Sequence, residues 1–184
     1  LENIKPGKMI KDGATITLNY EKVKTVSYTV QHKVGGTVQD NPTVVEKEIW
    51  DDAEASLEVT ADSIKENTYK GYKYDSIDPK GTTAGQTVAD GTVITLNYVR
   101  DDNQTKTAKY TVQHKVGGTV QGEPTVVEQE IWVNADELEI TENSIKKNNY
   151  DGYKFKSFSV DPEGAIELEN IKPGKMIKDG ATIT

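Results

Sequence analysis

The chain has 184 residues, no cysteine, 30 acidic against 22 basic side chains and a formal net charge of −8. Disulfides and thiolate metal sites are excluded, and the acidic balance argues against binding a phosphate backbone or an anionic lipid surface. No stretch approaches the roughly 18–20 apolar residues of a membrane-spanning helix, and no signal peptide or sorting motif stands within it.

Internal repetition sets the frame for every element. Residues 28–50 and 110–132 differ at three of 23 positions: Asp40 against Gly122, Asn41 against Glu123, and Lys47 against Gln129. LEVTADSIKENTYKGYKY at 57–74 answers LEITENSIKKNNYDGYKF at 138–155, and LENIKPGKMIKDGATIT stands unchanged at 1–17 and 168–184. A subrepeat of 82 residues (Tyr28 to Tyr110) therefore lies inside a superrepeat of 167 (Leu1 to Leu168). The expected organisation is the closing fragment of a preceding module at 1–20, a junction at 21–27, a complete module at 28–100, a junction at 101–109 and a second module at 110–184 with a truncated last strand. On this reading the chain is a window on a longer array. Its 28–100 module is the best ordered, and 1–20 is ordered only where something pairs with it.

In chain order, Ile16, Leu18 and Tyr20 alternate with polar residues as a closing strand does. The junction 21–27 carries Val23 and Val26 and runs into the next strand. Tyr28, Val30, His32 and Val34 share one face of that strand. Gly35–Gly36 supplies turn chemistry, and a second strand follows at about 43–50, with Pro42 just before it where a missing N–H does least harm. The stretch 51–68 predicts one short helix or helical turn. Gly71–Tyr72–Lys73–Tyr74 opens a third strand, and Asp90–Gly91 turns into the last, whose Ile94, Leu96 and Tyr98 face inward. The second module repeats this order. Each module is small for a single core without staples.

With 34% hydrophobic residues, the recurring aromatics must supply much of each core, and Trp50 and Trp132 are the expected core markers. A second reading of the aromatics is an exposed platform for stacking a glycan. Tyr69, Tyr72, Tyr150 and Tyr153, which flank glycine turns, are its candidates. His32 and His114 lie one module apart, so they cannot act on one atom, and each reads as a half-buried strand residue. No nucleophile elbow, phosphate loop or H-E-x-x-H motif is present. Glu46, Glu48, Glu128 and Glu130 recur at i, i+2 and read as a solvated strand face, while Asp51–Asp52 becomes Val133–Asn134 in the second copy. No catalytic residue, cofactor or metal is expected. Calcium at Arg100–Asp101–Asp102–Asn103–Gln104 is disfavoured because the other junction lacks those ligands.

YTVQHKVGG, TVVEKEIW, YKGYKYDSI and VADGTVITLNYVRDD together resemble the mucin-binding-protein-like (MucBP-type) repeats of Gram-positive surface proteins. The residues carrying the resemblance are Tyr28, Gly71–Tyr72 and Tyr98, with Tyr110 and Gly152–Tyr153 in the next copy. The family often carries a second aromatic where His32 and His114 stand. The resemblance implies a β-rich α+β fold of small, tandem, ubiquitin-like β-grasp modules, arranged end to end with at most one short helix each. It also implies an extracellular, wall-attached or secreted location. The function it suggests is a stalk or spacer of an adhesin, projecting a distal domain as an extended rod, with neighbouring repeats as partners. Weak multivalent binding of mucin or other host glycans is the alternative.

Overall fold

The computed structural model describes residues 6–7, 9–39 and 41–184, and in it the period-two segments form strands. In the first module β1 is Val23–Val34, β2 Thr37–Val38, β3 Thr43–Trp50, β4 Ser56–Glu58, β5 Tyr72–Asp78, β6 Thr87–Ala89 and β7 Thr92–Arg100. In the second, β8 is Thr105–Val116, β9 Thr119–Trp132, β10 Glu137–Glu139, β11 Val160–Asp161, β12 Met176–Lys178 and β13 Thr182–Ile183. The chain is β-rich with almost no helix: among the described residues there are only two 3-10 turns, Glu142–Ile145 and Leu168–Asn170. Residues 9–22 form no strand.

The two modules share one strand order. The first sheet runs β2-β1-β7-β5 with β3 also on β1, the second runs β9-β8-β13-β11, and each module adds a two-stranded ribbon, β4–β6 or β10–β12. By mutual proximity the described residues fall into two compact units, the residues up to Gln31 with 41–65 and Asp78–Thr95, and His32–Gln39 with Glu66–Ile77 and Leu96–Thr184.

In the first unit β3 pairs antiparallel with β1 from Val23↔Trp50 to Val30↔Thr43, and β4 pairs with β6 about Leu57↔Val88. Val26, Tyr28, Val30, Leu57, Val59 and Ile94 are buried. The β1 contributors recur at every second residue, as a strand with one face on a core requires. The Asp90 carboxylate accepts the Ser27 N–H at 2.7 Å, and the Gly91 N–H donates to the Ser27 carbonyl at 2.8 Å.

The second unit repeats these devices around its own core of Ala108, Tyr110, Val112, Leu138, Ile140, Ile177 and Ile183. β13 runs parallel to β8 with Ile183 opposite Val112. Asp179 accepts the Lys109 N–H at 2.9 Å, and the Gly180 N–H donates to the Lys109 carbonyl at 2.7 Å. Gln113 donates to the Thr184 hydroxyl at 2.9 Å as Gln31 does to that of Thr95 at 3.0 Å. These matched contacts make 179–184 the structural counterpart of 90–95.

Each module also buries one tyrosine completely, Tyr28 or Tyr110. A buried phenol needs a partner for its hydroxyl. The Tyr28 oxygen accepts the Thr60 N–H at 3.1 Å and shares a hydrogen bond with Ser63 at 2.8 Å; Tyr110 does the same with Thr141 at 2.9 Å and Ser144 at 2.7 Å. The loop after β4 or β10 is thereby tied to the first strand of its module.

Two expectations need correction. Trp50 is 55% exposed at the end of β3, not core. The aliphatic and tyrosine side chains of β1, β4 and β7 already fill the inner face, and Trp50 closes a strand whose residues lie largely outside it. The second expectation was at most one short helix per module, with a short helix or helical turn in 51–68, and the second module exceeds it. The 51–68 stretch holds a plain turn at 61–64, the counterpart region forms Glu142–Ile145, and Leu168–Asn170 is a further turn. That turn lies between Ala165 and Gly174, where the second module is longer than the Thr82–Gly85 segment it matches.

Replacing Tyr110 by Phe keeps the ring and leaves the Thr141 N–H and Ser144 hydroxyl without their partner. Urea unfolding of Tyr110→Phe is expected to show a loss of about 1–2 kcal/mol with an unchanged m-value.

Candidate functional site: a seam at Gly71 and a cleft beside β8

Trp132 ends β9 and meets the Gly71 turn that precedes β5. Its indole Nε1–H donates to the Gly71 carbonyl at 3.1 Å, Tyr72 packs edge-on against its ring at 5.5 Å, and the Arg100 guanidinium lies 4.7 Å from the ring centre. The Asn134 amide donates to the Lys70 carbonyl at 2.7 Å. Gln104 completes the seam: its side-chain oxygen accepts the Gly71 N–H at 2.8 Å, and its own carbonyl accepts the Val133 N–H at 2.8 Å. The Asp101 N–H donates to the Gly71 carbonyl at 2.9 Å, so that oxygen accepts two bonds. Hydrogen bonds from Gln104 and the Asn103 N–H hold the Asp101 carboxyl below its ordinary range.

Gly71 has φ +80°, and a Cβ built there would lie 2.5 Å from Asn134 Nδ2 and 3.0 Å from Trp132 Cζ2. Both the backbone conformation and the close approach demand glycine. Residues 70–73 and Arg100 belong to the stretch 28–100, 101–104 to the junction and 132–134 to the stretch 110–184, and packed and hydrogen-bonded contacts bring them together here.

A second aromatic group surrounds Tyr98. His32 stacks on it at 5.5 Å, while Tyr69 at 4.8 Å and Tyr74 at 5.9 Å meet it edge-on. The Tyr98 hydroxyl accepts the Asn67 N–H at 2.8 Å, and its carbonyl accepts the Gly35 N–H at 3.0 Å. Burial raises the Tyr98 pKa, opposed by the Asn67 hydrogen bond. Burial also lowers that of His32, whose Nδ1 is enclosed without a hydrogen-bond partner.

In the second module the corresponding space is a cleft of about 640 Å³ lined by His114, Asn148, Tyr150, Tyr153, Phe155 and Phe158 among others. Tyr150 lies 5.9 Å from His114. The four candidate glycan residues thus fall into unlike settings. Tyr69 is half-buried against His32 and Tyr98, Tyr72 half-buried against Trp132, and Tyr150 half-buried on the cleft wall. Tyr153 is 59% exposed at the cleft. Tyr69 and Tyr72 stand in separate clusters, whereas Tyr150 and Tyr153 line one.

Sequence reasoning missed Trp132, Asn134, Arg100 and Gln104 as joint-forming residues. The signal for them was the pair of differences between copies, Val133–Asn134 for Asp51–Asp52 and the longer second junction. Among the described residues no cluster of three or more His, Asp or Glu side chains is placed to hold a metal ion. No family model matches the chain, and no curated protein or solved structure matches it significantly.

Two outcomes test this site. Gly71→Ala forces a methyl into the seam and is expected to cost more than about 1 kcal/mol, with a shift of indole fluorescence and a loss of the protection of the Trp132 indole N–H from hydrogen exchange. Asn134→Asp turns a donor into an acceptor facing the Lys70 carbonyl and should weaken the same protection less, because that bond is exposed. The pH dependence has a definite sign. His32 is depressed in the fold from the ordinary value of 6.5, so the unfolded chain binds more protons between the two values. Its contribution to stability is present above 6.5 and is lost as the pH falls toward the depressed value. Thermal melts between neutral and mildly acid pH should show this loss, and His32→Phe should reduce it.

Proposed function

We propose that the chain is a non-catalytic stalk or spacer made of tandem β-grasp-like modules, in which successive repeats hold a more distal part of an extracellular adhesin away from a bacterial wall. The observation that carries this reading is the Gly71–Trp132 seam. A linker that needed only to connect would not require an indole, an amide and a carboxamide aimed at the backbone of one turn. Contacts of this kind restrict bending at the joint, which is what a projecting element needs. The near-identity of residues 28–50 and 110–132 also supports a repeated mechanical unit. So does the resemblance of the Y-T-V-x-H, G-Y and closing L-x-Y strands to mucin-binding-protein-like repeats of Gram-positive surfaces. On this reading the partners are neighbouring repeats.

The alternative, weak multivalent binding of mucin or another glycan, is favoured by one observation, the exposed Tyr153 beside an aromatic-lined cleft. Against it, Tyr69 and Tyr72 are half-buried in edge-on contacts with Tyr98 and Trp132.

Nuclear-relaxation measurements on the intact chain distinguish the two. A stalk requires residues 28–100 and 110–184 to tumble with one correlation time, and Gly71→Ala to separate them. Independent tumbling in the unaltered chain removes the stalk reading. Saturable binding to a mucin glycopeptide that Tyr153→Ala abolishes without unfolding would put the glycan reading in its place.

A further inference from the structure

We infer that His32 is a proton-operated release for the Gly71 seam: acid drives its ring out of the Tyr69–Tyr98 cluster and thereby frees the turn to which Trp132 is bonded. That turn is Tyr69–Tyr72, closed by the Tyr72 N–H donating to the Tyr69 carbonyl at 3.0 Å. Aromatic contacts hold both of its ends. Tyr69 meets His32 at 5.9 Å and Tyr98 at 4.8 Å, each edge-on, while Tyr72 meets Trp132 at 5.5 Å. Between these ends lie the Lys70 and Gly71 carbonyls, which accept the Asn134 amide and the Trp132 indole N–H. Tyr72 is also seated just past the end of the strand that carries His32, since a Cβ at Gly35 would stand 2.9 Å from its ring. The seam therefore depends on a turn that is positioned from the His32 side.

The His32 ring stacks on Tyr98 with an interplanar angle of 12°, and its Nδ1 is enclosed with no hydrogen-bond partner. A neutral imidazole can leave that nitrogen as an unused acceptor at modest cost. An imidazolium cannot, because both of its nitrogens carry a proton, and an enclosed charged N–H without an acceptor is far more costly. The Gln39 N–H fixes the strand backbone by donating to the His32 carbonyl at 2.8 Å, so the side chain is the part that moves. Charged groups on the surrounding elements do not compensate. Lys33 on β1, Lys70 in the turn, Lys73 on β5 and Arg100 on β7 are cations. Glu66 acts on the Tyr74 and Tyr98 hydroxyls and Asp75 on that of Tyr74, and neither pairs with the imidazole. Burial accordingly lowers the His32 pKa. The contacts of its ring with Tyr98 and Tyr69 are thus present above the ordinary value of 6.5 and are lost as the pH falls toward the depressed one. Asp101, the carboxyl of the seam itself, is held below its ordinary range by Gln104 and Asn103 and stays ionised over that window.

The test is hydrogen exchange of the Trp132 indole N–H in the intact chain, followed from neutral to mildly acid pH. The exposed indole of Trp50 supplies a reference rate at each pH. Protection of Trp132 relative to Trp50 should fall by at least about threefold, with the same midpoint as the titration of the His32 ring. The Thr141 amide, bound to the Tyr110 hydroxyl, should keep its protection. His32→Phe retains a packed ring without the proton and should abolish the fall, whereas His114→Phe and Glu66→Gln should leave it in place.

Trp132 protection that is unchanged through the His32 titration overturns the proposal. So does a fall with a different midpoint, a comparison that needs no variant. A fall that survives His32→Phe, that disappears in either of the other two variants, or that is shared by the Thr141 amide as general unfolding has the same consequence. The stalk reading is tested at neutral pH, where the seam is closed, so a seam insensitive to acid leaves it standing. A Trp132 indole already unprotected at neutral pH removes both.

Discussion

β1 and β8 carry nearly the same sequence, and the core of each module is built against them in the same way. β7 continues for nine residues, Thr92–Arg100, and its second half brings Tyr98 over His32. β13 covers Thr182–Ile183, and the same stretch of β8 faces a cleft. Phe155, the counterpart of half-buried Tyr74, is exposed, as is Tyr153. A small module with no cysteine has little apolar area in reserve. The lower core is the same in the two. It is held by the Tyr28 or Tyr110 hydroxyl and by the Asp90 or Asp179 cap, which are alike in both copies.

The seam rests on the backbone of a glycine. Gly71 can present its N–H and its carbonyl to three different residues because it has no side chain to keep them apart and because φ +80° costs it little. A tryptophan suits the other side. Its ring covers the turn, its N–H satisfies the carbonyl, and its face takes Arg100. The polar contacts carry specificity here more than strength, since several are open to solvent and each is worth about 1 kcal/mol. Their combined effect is to fix which residues meet.

Much of the strand pattern could be read in the sequence because alternation is local: the inward sets Tyr28–Val30 and Ile94–Leu96–Tyr98 are buried, and His32 is half-buried as expected. The strands at 43–50 and 72–78 followed from turn chemistry on either side. What could not be read was anything decided at long range. Trp50 and Trp132 end the same strand in near-identical surroundings, yet one is exposed and the other is bonded to a carbonyl 61 residues away. No periodicity encodes that. The middle segment 51–68 was ambiguous because its loop is held by a tyrosine hydroxyl from another strand rather than by its own helix propensity. The oxygen-rich 101–104 stretch offered itself as a cation site. In the structure Asp101 is occupied by Gln104 and Asn103, and Asp102 by Arg100.

Asn134, Arg100 and Gln104 of the seam are also where the two copies part company, whereas Trp132, Gly71 and Tyr72 have identical counterparts. Asp52 stands where Asn134 stands in the second copy, and a carboxylate cannot donate to a backbone carbonyl. The junction that leads into the first module passes from Tyr20 to Val23 with two residues between, whereas six separate Tyr98 from Thr105. Arg100 and Gln104 have no counterparts in that shorter span, and Lys22 and Lys24 are instead engaged with Asp51 and the Ala53 carbonyl. Trp50 therefore lacks the Asn134, Arg100 and Gln104 partners that surround Trp132.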